Sequence, residues 1–210
     1  MNLDKMEMIL STIDKLGAVS VKQLHTILNL GSYRHTCRII NQLEDYLNVV
    51  RSQQKIVYLN KEGRQLIDSK KEIKKSILFD HMILANEAYI YYGCPLDWKR
   101  EYTLESLQEP EFSYGIQIKG LTVVNKQTII PDAVFTRNGY VYLIEIDNTR
   151  TMQDNRKKIQ KYREMWSDIA KHFRVAPKLC IFTSSNKRKL DFNQLCHKQP
   201  HEVFTFQEIK

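Results

Sequence analysis

The chain lacks the signatures that would settle its class at once. None of its four cysteines (Cys37, Cys94, Cys180 and Cys196) stands at Cys-x-x-Cys spacing from another, so neither a structural zinc site nor a disulfide framework is indicated. Cys196, His197 and His201 lie close in sequence but match no zinc-ligand spacing. Buried, reduced thiols are expected, as in a cytosolic protein. No apolar run approaches the length that spans a bilayer. The first residues form a charged, helix-periodic pattern without a secretory signal, so the expected location is cytoplasmic, with no membrane partner. There is no internal repeat and no low-complexity tract. What is present is ordinary globular composition, 42% hydrophobic and 27% charged over 210 residues, enough for one large domain or two small ones. The net charge of +8 and pI near 9.2 make an acidic polymer the expected partner, nucleic acid first. Both halves of the chain are basic, so charge alone does not say which half meets it.

The first part reads helix, helix, helix, hairpin. Met6, Ile9, Leu10, Ile13 and Leu16 recur at helical spacing up to Gly17. Ser20 is an N-cap for a short helix carrying Val21, Leu24, Ile27 and Leu28. A third helix is expected over 33–46, with Ile39, Ile40, Leu43 and Leu47 inward. Two short strands, Val49-Val50 and Ile56 to Leu59, follow across Ser52-Gln53-Gln54. That order is the plan of a winged helix-turn-helix. A polar, basic segment over 68–75 then leads into an apolar helix over 77–92, and the domain boundary is expected near Lys75, giving domains 1–75 and 76–210. Beyond Pro95 come strand candidates over 102–104 and 115–122, a hairpin, and a long amphipathic helix over 152–173. The strand Leu179 to Phe182, a helix over 191–197 and a strand over 203–206 complete a mixed sheet with helices on its faces. The expected class is α+β.

In the first domain the third helix would be the recognition helix. Tyr33, Arg34, His35, Thr36 and Arg38 occupy its exposed N-terminal face, where such helices meet base edges. The wing would be Arg51 to Lys55, with a charge at each side of a polar tip suited to phosphate. The expected partner is double-stranded DNA. A solvated helix face with an ordinary hairpin is the plain alternative.

The second domain is more informative. Asn138-Gly139, between two apolar runs, signals a two-residue type I′ hairpin. Arg137 then pairs with Tyr140, and counting back sets Asp132 opposite Glu145. Asp147 shares the face of Glu145, so three carboxylates gather where cross-strand Cβ atoms lie roughly 5 Å apart. Their repulsion must be offset. A divalent cation with oxygen ligands would do so; so would protonation, or a salt bridge to Arg137 or Arg150. In the helix that follows, Lys158 and Tyr162 stand four apart on one face, among Arg150, Arg156, Lys157, Lys161 and Arg163.

These motifs resemble the PD-(D/E)xK nuclease superfamily. Pro131-Asp132 matches its first acidic position and Glu145-Ile146-Asp147 its second, with Asp147 where lysine is usual. The Lys158/Tyr162 spacing is similar to the Gln-x-x-x-Tyr element of RecB-like nucleases. The resemblance implies Mg2+ or Mn2+ held by Asp132 and Glu145, with Glu87 of the preceding helix as a third ligand. It implies catalytic roles for Asp132, Glu145, Asp147 and Lys158, either Asp147 acting as an acidic partner or base, or Lys158 reaching in for the missing lysine. Arg150, Lys157, Lys161 and Tyr162 would meet the DNA backbone. Most of the chain, from the winged helix through the 81–86 helix to Pro131-Asp132-Ala133, Glu145-Ile146-Asp147, Thr149 and Lys158/Tyr162, resembles the replication-relaxation family of plasmids and mobile elements. In that family the Glu-x-Asp variant is characteristic.

Three readings remain at this point. The first is a DNA-binding protein of a mobile element with metal-dependent nicking. The second is a non-enzymatic accessory factor that assists a replication initiator or relaxase. The third is a transcriptional regulator whose second domain dimerises, as a homodimer, or contacts a partner protein.

Overall fold

The structure is a computed structural model and describes residues 2–51, 53–73, 79–108, 125–148 and 150–209. The protein is mixed α+β and forms two compact units, residues 1–100 with 205–210, and residues 101–204. The expected strand over 115–122, Thr149, Ser52 and the start of the 77–92 helix lie outside the described residues. No helix among the described residues is long and apolar enough to cross a membrane.

The first unit begins with α1 (Leu3–Leu16), capped by Asn2 and buried along Ile9, Leu10, Ile13 and Leu16. Gly17 stops it at φ +81, a conformation costly for any residue with a Cβ. After β1 (Ala18–Ser20), α2 (Val21–Leu28) starts on a capping box in which Ser20 and Gln23 satisfy each other's backbone N–H groups. Helix α3 (Tyr33–Gln42) begins at the Ser32 cap and ends sooner than expected, giving way to a 3-10 turn over Glu44–Tyr46. Strands β2 (Leu47–Arg51) and β3 (Lys55–Leu59) pair antiparallel from Leu47↔Leu59 to Arg51↔Lys55, and β1 adds to the other edge of β3. Helix α4 (Lys61–Leu66), α5 (Phe79–Tyr91) and the two-residue β4 (Lys99–Arg100) complete the unit.

The unit does not end at Lys75. Phe79 and Ile83 of α5 join Ala18, Ile56 and Tyr58 in one apolar cluster, and Asn86 Nδ2 donates to the Ala18 carbonyl at 2.8 Å. The charged stretch before α5 looks like a linker, but burial assigns α5 to the first unit.

In the second unit β5 (Leu104–Gln108) and β6 (Asn125–Ile129) form an antiparallel pair. Strands β7 (Ala133–Arg137) and β8 (Tyr140–Asp147) form the hairpin, with Arg137↔Tyr140 and Ala133↔Ile144 in register as expected. Asn138 (φ 51) and Gly139 (φ 76) supply its turn, the two positive φ values that type I′ requires. From β8 the chain crosses through α6 (Met152–Phe173) to β9 (Ala176–Thr183), which lies parallel to β8. Helix α7 (Asn186–Cys196) and β10 (His201–Thr205) follow, giving the order β10-β9-β8-β7. Ile159, Tyr162, Met165 and Ile169 of α6 meet Val141, Leu143, Leu179 and Ile181 of the sheet in one core. No disulfide joins the cysteines; Cys180 and Cys196 are buried, while Cys37 and Cys94 are half-buried.

One glycine is held by packing. A Cβ on Gly63 of α4 would run into the Tyr46 carbonyl oxygen, the same oxygen that accepts Asn60 N–H at 3.1 Å. Gly63→Ala should therefore lower stability by about 1 to 3 kcal/mol through overpacking, although alanine is the better helix former by about 1 kcal/mol. Denaturant midpoints of the two proteins measure the difference, and a stabilised variant would refute the close approach.

Candidate nucleic-acid interface and carboxylate site

On α3, Tyr33, Arg34, His35 and Arg38 are exposed. Thr36, expected beside them, is fully buried; its hydroxyl lies within hydrogen-bond range of the Ser32 carbonyl and of His25 Nδ1, 3.3 Å from each. At the hairpin, Arg51 is exposed while Lys55 turns back to Asn41 Oδ1 at 2.7 Å.

In the second unit the hairpin register sets Asp132 beside the end of β8, where its Oδ2 accepts the Ile146 N–H at 2.7 Å. Glu145 is buried and carries three partners. Its Oε2 takes Lys158 Nζ at 2.6 Å and the Arg150 guanidinium at 3.4 Å, and its Oε1 takes the Tyr162 hydroxyl at 2.5 Å. Both helix residues paired by spacing thus converge on one carboxylate. Lys158 Nζ also donates to the Ile130 carbonyl at 3.0 Å.

Asp147 lies apart from this group in chemistry. Arg188 of α7 grips it with two bonds of 2.6 Å, from Nε and a terminal nitrogen. Asn155 Nδ2 donates at 2.8 Å and Thr183 Oγ1 at 2.5 Å; Thr183 is the residue paired with Asp147 across the parallel strands. A cavity of about 10 Å³ lies against Glu145, Asp147, Arg150, Asn155 and Lys158, no larger than one water needs.

A model of one protein family, described as replication-relaxation, matches residues 10–177, most of the chain. The chain belongs to the replication-relaxation family. No curated protein and no solved structure was found to match it.

Within this replication-relaxation protein several expected roles change. Asp147 is neither an acidic partner nor a base with room to act, because both its oxygens are bound and its charge is matched by Arg188. Tyr162 is fully buried and donates to Glu145, so it cannot reach a DNA backbone. Glu87 stands on α5 in the first unit, where it accepts from Gln23 Nε2 at 2.7 Å. Among the described residues no group of three or more His, Cys, Asp or Glu side chains is gathered as a metal cage. Arg156 and Lys157 are exposed on α6, with Lys161 half-buried.

Asp132 and Glu145 are oxygen donors of the kind a divalent cation takes. Burial first, and the Asp132 charge second, push the Glu145 carboxyl from 4.5 up to about 7, against the pull of Lys158 and Tyr162. The Lys158 ammonium already stands there as a cation among oxygens, the ligand type that Mg2+ and Mn2+ take. Tyr162, raised well above its ordinary range by burial and then by Glu145, keeps its proton and donates.

Arg188 was not legible as a functional residue. The available signal was Lys187-Arg188-Lys189 in the first turn of α7, where the helix dipole disfavours cations.

Two expectations follow. Arg188→Ala would leave Asp147, only 3% exposed, without its cation and cost about 3 to 5 kcal/mol; urea unfolding measures it, and a loss under 1 kcal/mol would mean the pair is not formed. Glu145 gives a pH dependence. Unfolded, its carboxyl ionises near its ordinary 4.5, whereas folded it holds the proton to about 7. Its contribution to stability is complete below 4.5 and lost as pH rises through about 7, a decline of about 3 kcal/mol. Denaturant midpoints across that range should fall for the wild type and stay flatter for Glu145→Gln.

Proposed function

We propose that this is a double-stranded-DNA-binding protein acting in the replication and relaxation of a plasmid or other mobile element, beside a replication initiator or relaxase, and that its second unit nicks DNA with Mg2+ or Mn2+. The observation that carries the second half is the convergence of Lys158 and Tyr162 on Glu145, next to Asp132. This restores an acid–acid–lysine set, with the lysine supplied by α6 rather than by the strand.

The first unit reads as a winged helix. Its order of elements and three-stranded β1-β3-β2 sheet support that reading, with α3 offering Arg34, His35 and Arg38 to the major groove and Arg51 at the wing. The second unit reads as nuclease-like. A hairpin runs through a crossover helix into a parallel strand, and the acids stand at the end of β8. Asp132 and Glu145 would hold the cation. When bound, it supplies a more acidic water and neutralises charge on the phosphate oxygens. Tyr162 fixes the orientation of the Glu145 carboxylate. Arg150, 41% exposed beside it, offers a guanidinium to a phosphate, and Lys157 and Lys161 continue the basic surface along α6.

One observation favours a second reading, in which the unit docks on the backbone and assists without cutting. Glu145 and Asp147 each have an internal cation, and the cavity between them is small.

Supercoiled plasmid with Mn2+ decides between them. Nicking predicts conversion to open circle, abolished in Asp132→Ala and Glu145→Ala; intact supercoil with wild-type protein bound would leave the docking role. Separately, Arg34→Ala and Arg38→Ala should each weaken duplex binding and reduce the slope of log affinity against log salt by about one. Unchanged slopes in both would remove α3 from the interface.

A further inference from the structure

The geometry points to Lys158 as an internal counterion seated where the divalent cation would bind, so that cation loading at Glu145 and release of the Lys158 ammonium are a single event. This rests on the reading of Asp132 and Glu145 as the cation's ligands.

Lys158 Nζ makes the contacts of a bound cation. It lies 2.6 Å from Glu145 Oε2 and 3.0 Å from the Ile130 carbonyl, with the second carboxylate of the pair near enough to raise the Glu145 pKa. The two oxygens of Glu145 are not equivalent. Oε1 is held by Tyr162, buried in the core, which leaves Oε2 as the oxygen to be contested. Arg150 reaches Oε2 only at 3.4 Å, against 2.6 Å for Lys158, so Lys158 is its principal partner.

The helix around Lys158 is anchored on both sides. Asn155, nearly one turn earlier, is bonded to Asp147, and Tyr162, about one turn later, to Glu145. The backbone of α6 is therefore fixed while the flexible four-carbon stem of the lysine can swing. Its side chain is 17% exposed against 7% for Glu145, and it borders Ile130, itself 46% exposed, so solvent lies on its outer side. Lys158 must leave Oε2 for a divalent ion to take that oxygen. The ion pair lost in that exchange weakens apparent cation affinity. The released ammonium then stands within one side-chain length of the site, where a phosphate would find it. This couples two events that a strand lysine, anchored in the sheet, would leave separate.

The test is calorimetric titration of the full chain with Mn2+, on wild type, Lys158→Met, Lys158→Arg and Glu145→Gln. Lys158→Met should bind Mn2+ about tenfold or more tightly than wild type, since a charge-assisted bond no longer competes. Lys158→Arg, which keeps the positive charge, should bind no more tightly than wild type, and Glu145→Gln should lose the site. Affinity in Lys158→Met equal to or weaker than wild type overturns the proposal. Binding in wild type that survives Glu145→Gln, or none in wild type and Lys158→Met alike, overturns the reading of the acid pair itself, and the proposal with it. Should Lys158→Met fail to fold, wild type alone answers by nitrogen NMR. Saturating Mg2+ should abolish the protected ammonium signal of Lys158, and a signal that persists at saturation refutes displacement.

Discussion

Burying two carboxylates, two residues apart on one face of one strand, is the constraint around which the second unit is arranged. Each would be strongly destabilising without a cation and a full set of hydrogen bonds. Helix α6 supplies Lys158 and Tyr162 to Glu145 and Asn155 to Asp147; α7 supplies Arg188 and β9 supplies Thr183. These polar ties run through a core otherwise built of Ile159, Met165, Leu179 and Ile181. Apolar packing tolerates small slips of a helix along a sheet, whereas bonds of 2.5 to 2.8 Å to fixed oxygens do not. The acids thus select one placement for the elements that pack on β8.

The first unit uses the same device with neutral groups. Gln23 is nearly fully buried; its side chain caps Ser20 N–H, donates to the Ile83 carbonyl and reaches Glu87. One amide therefore joins α2 to α5. Glu87 serves that tie, which explains an acid on a helix whose neighbours, Ala85, Asn86 and Ala88, are buried.

Local signals were the legible part of the sequence. The Asn138-Gly139 turn fixed the hairpin register residue by residue, since its two positive φ values admit one pairing. The 3.6-residue spacing along α6 gave both its length and the shared face of Lys158 and Tyr162. The family followed from those motifs and holds over residues 10–177. Elements without periodicity were missed: β1 has three residues, and α4 is a six-residue polar helix started by the Asn60 cap. Long-range choices were also hidden. Asp147 looked like an acidic partner or base because its partner, Arg188, lies 41 residues away and carries no pattern linking it to the strand. Burial misled in the same way for Thr36 and Tyr162, whose polar ends suggest surface but whose bonds are internal.

The long crossover helix has a consequence for how sequences of this type can diverge. Inserting or deleting one residue in an α-helix rotates everything beyond it by about 100° relative to what came before. Between the Thr151 cap and Tyr162, such a change would turn Lys158, Tyr162 or both away from Glu145 while leaving Asn155 on Asp147, or the reverse. Length variation among descendants of this gene should therefore collect in the loop ahead of Thr151 or beyond Phe173, and the eleven steps from cap to tyrosine should be inherited as an indivisible interval.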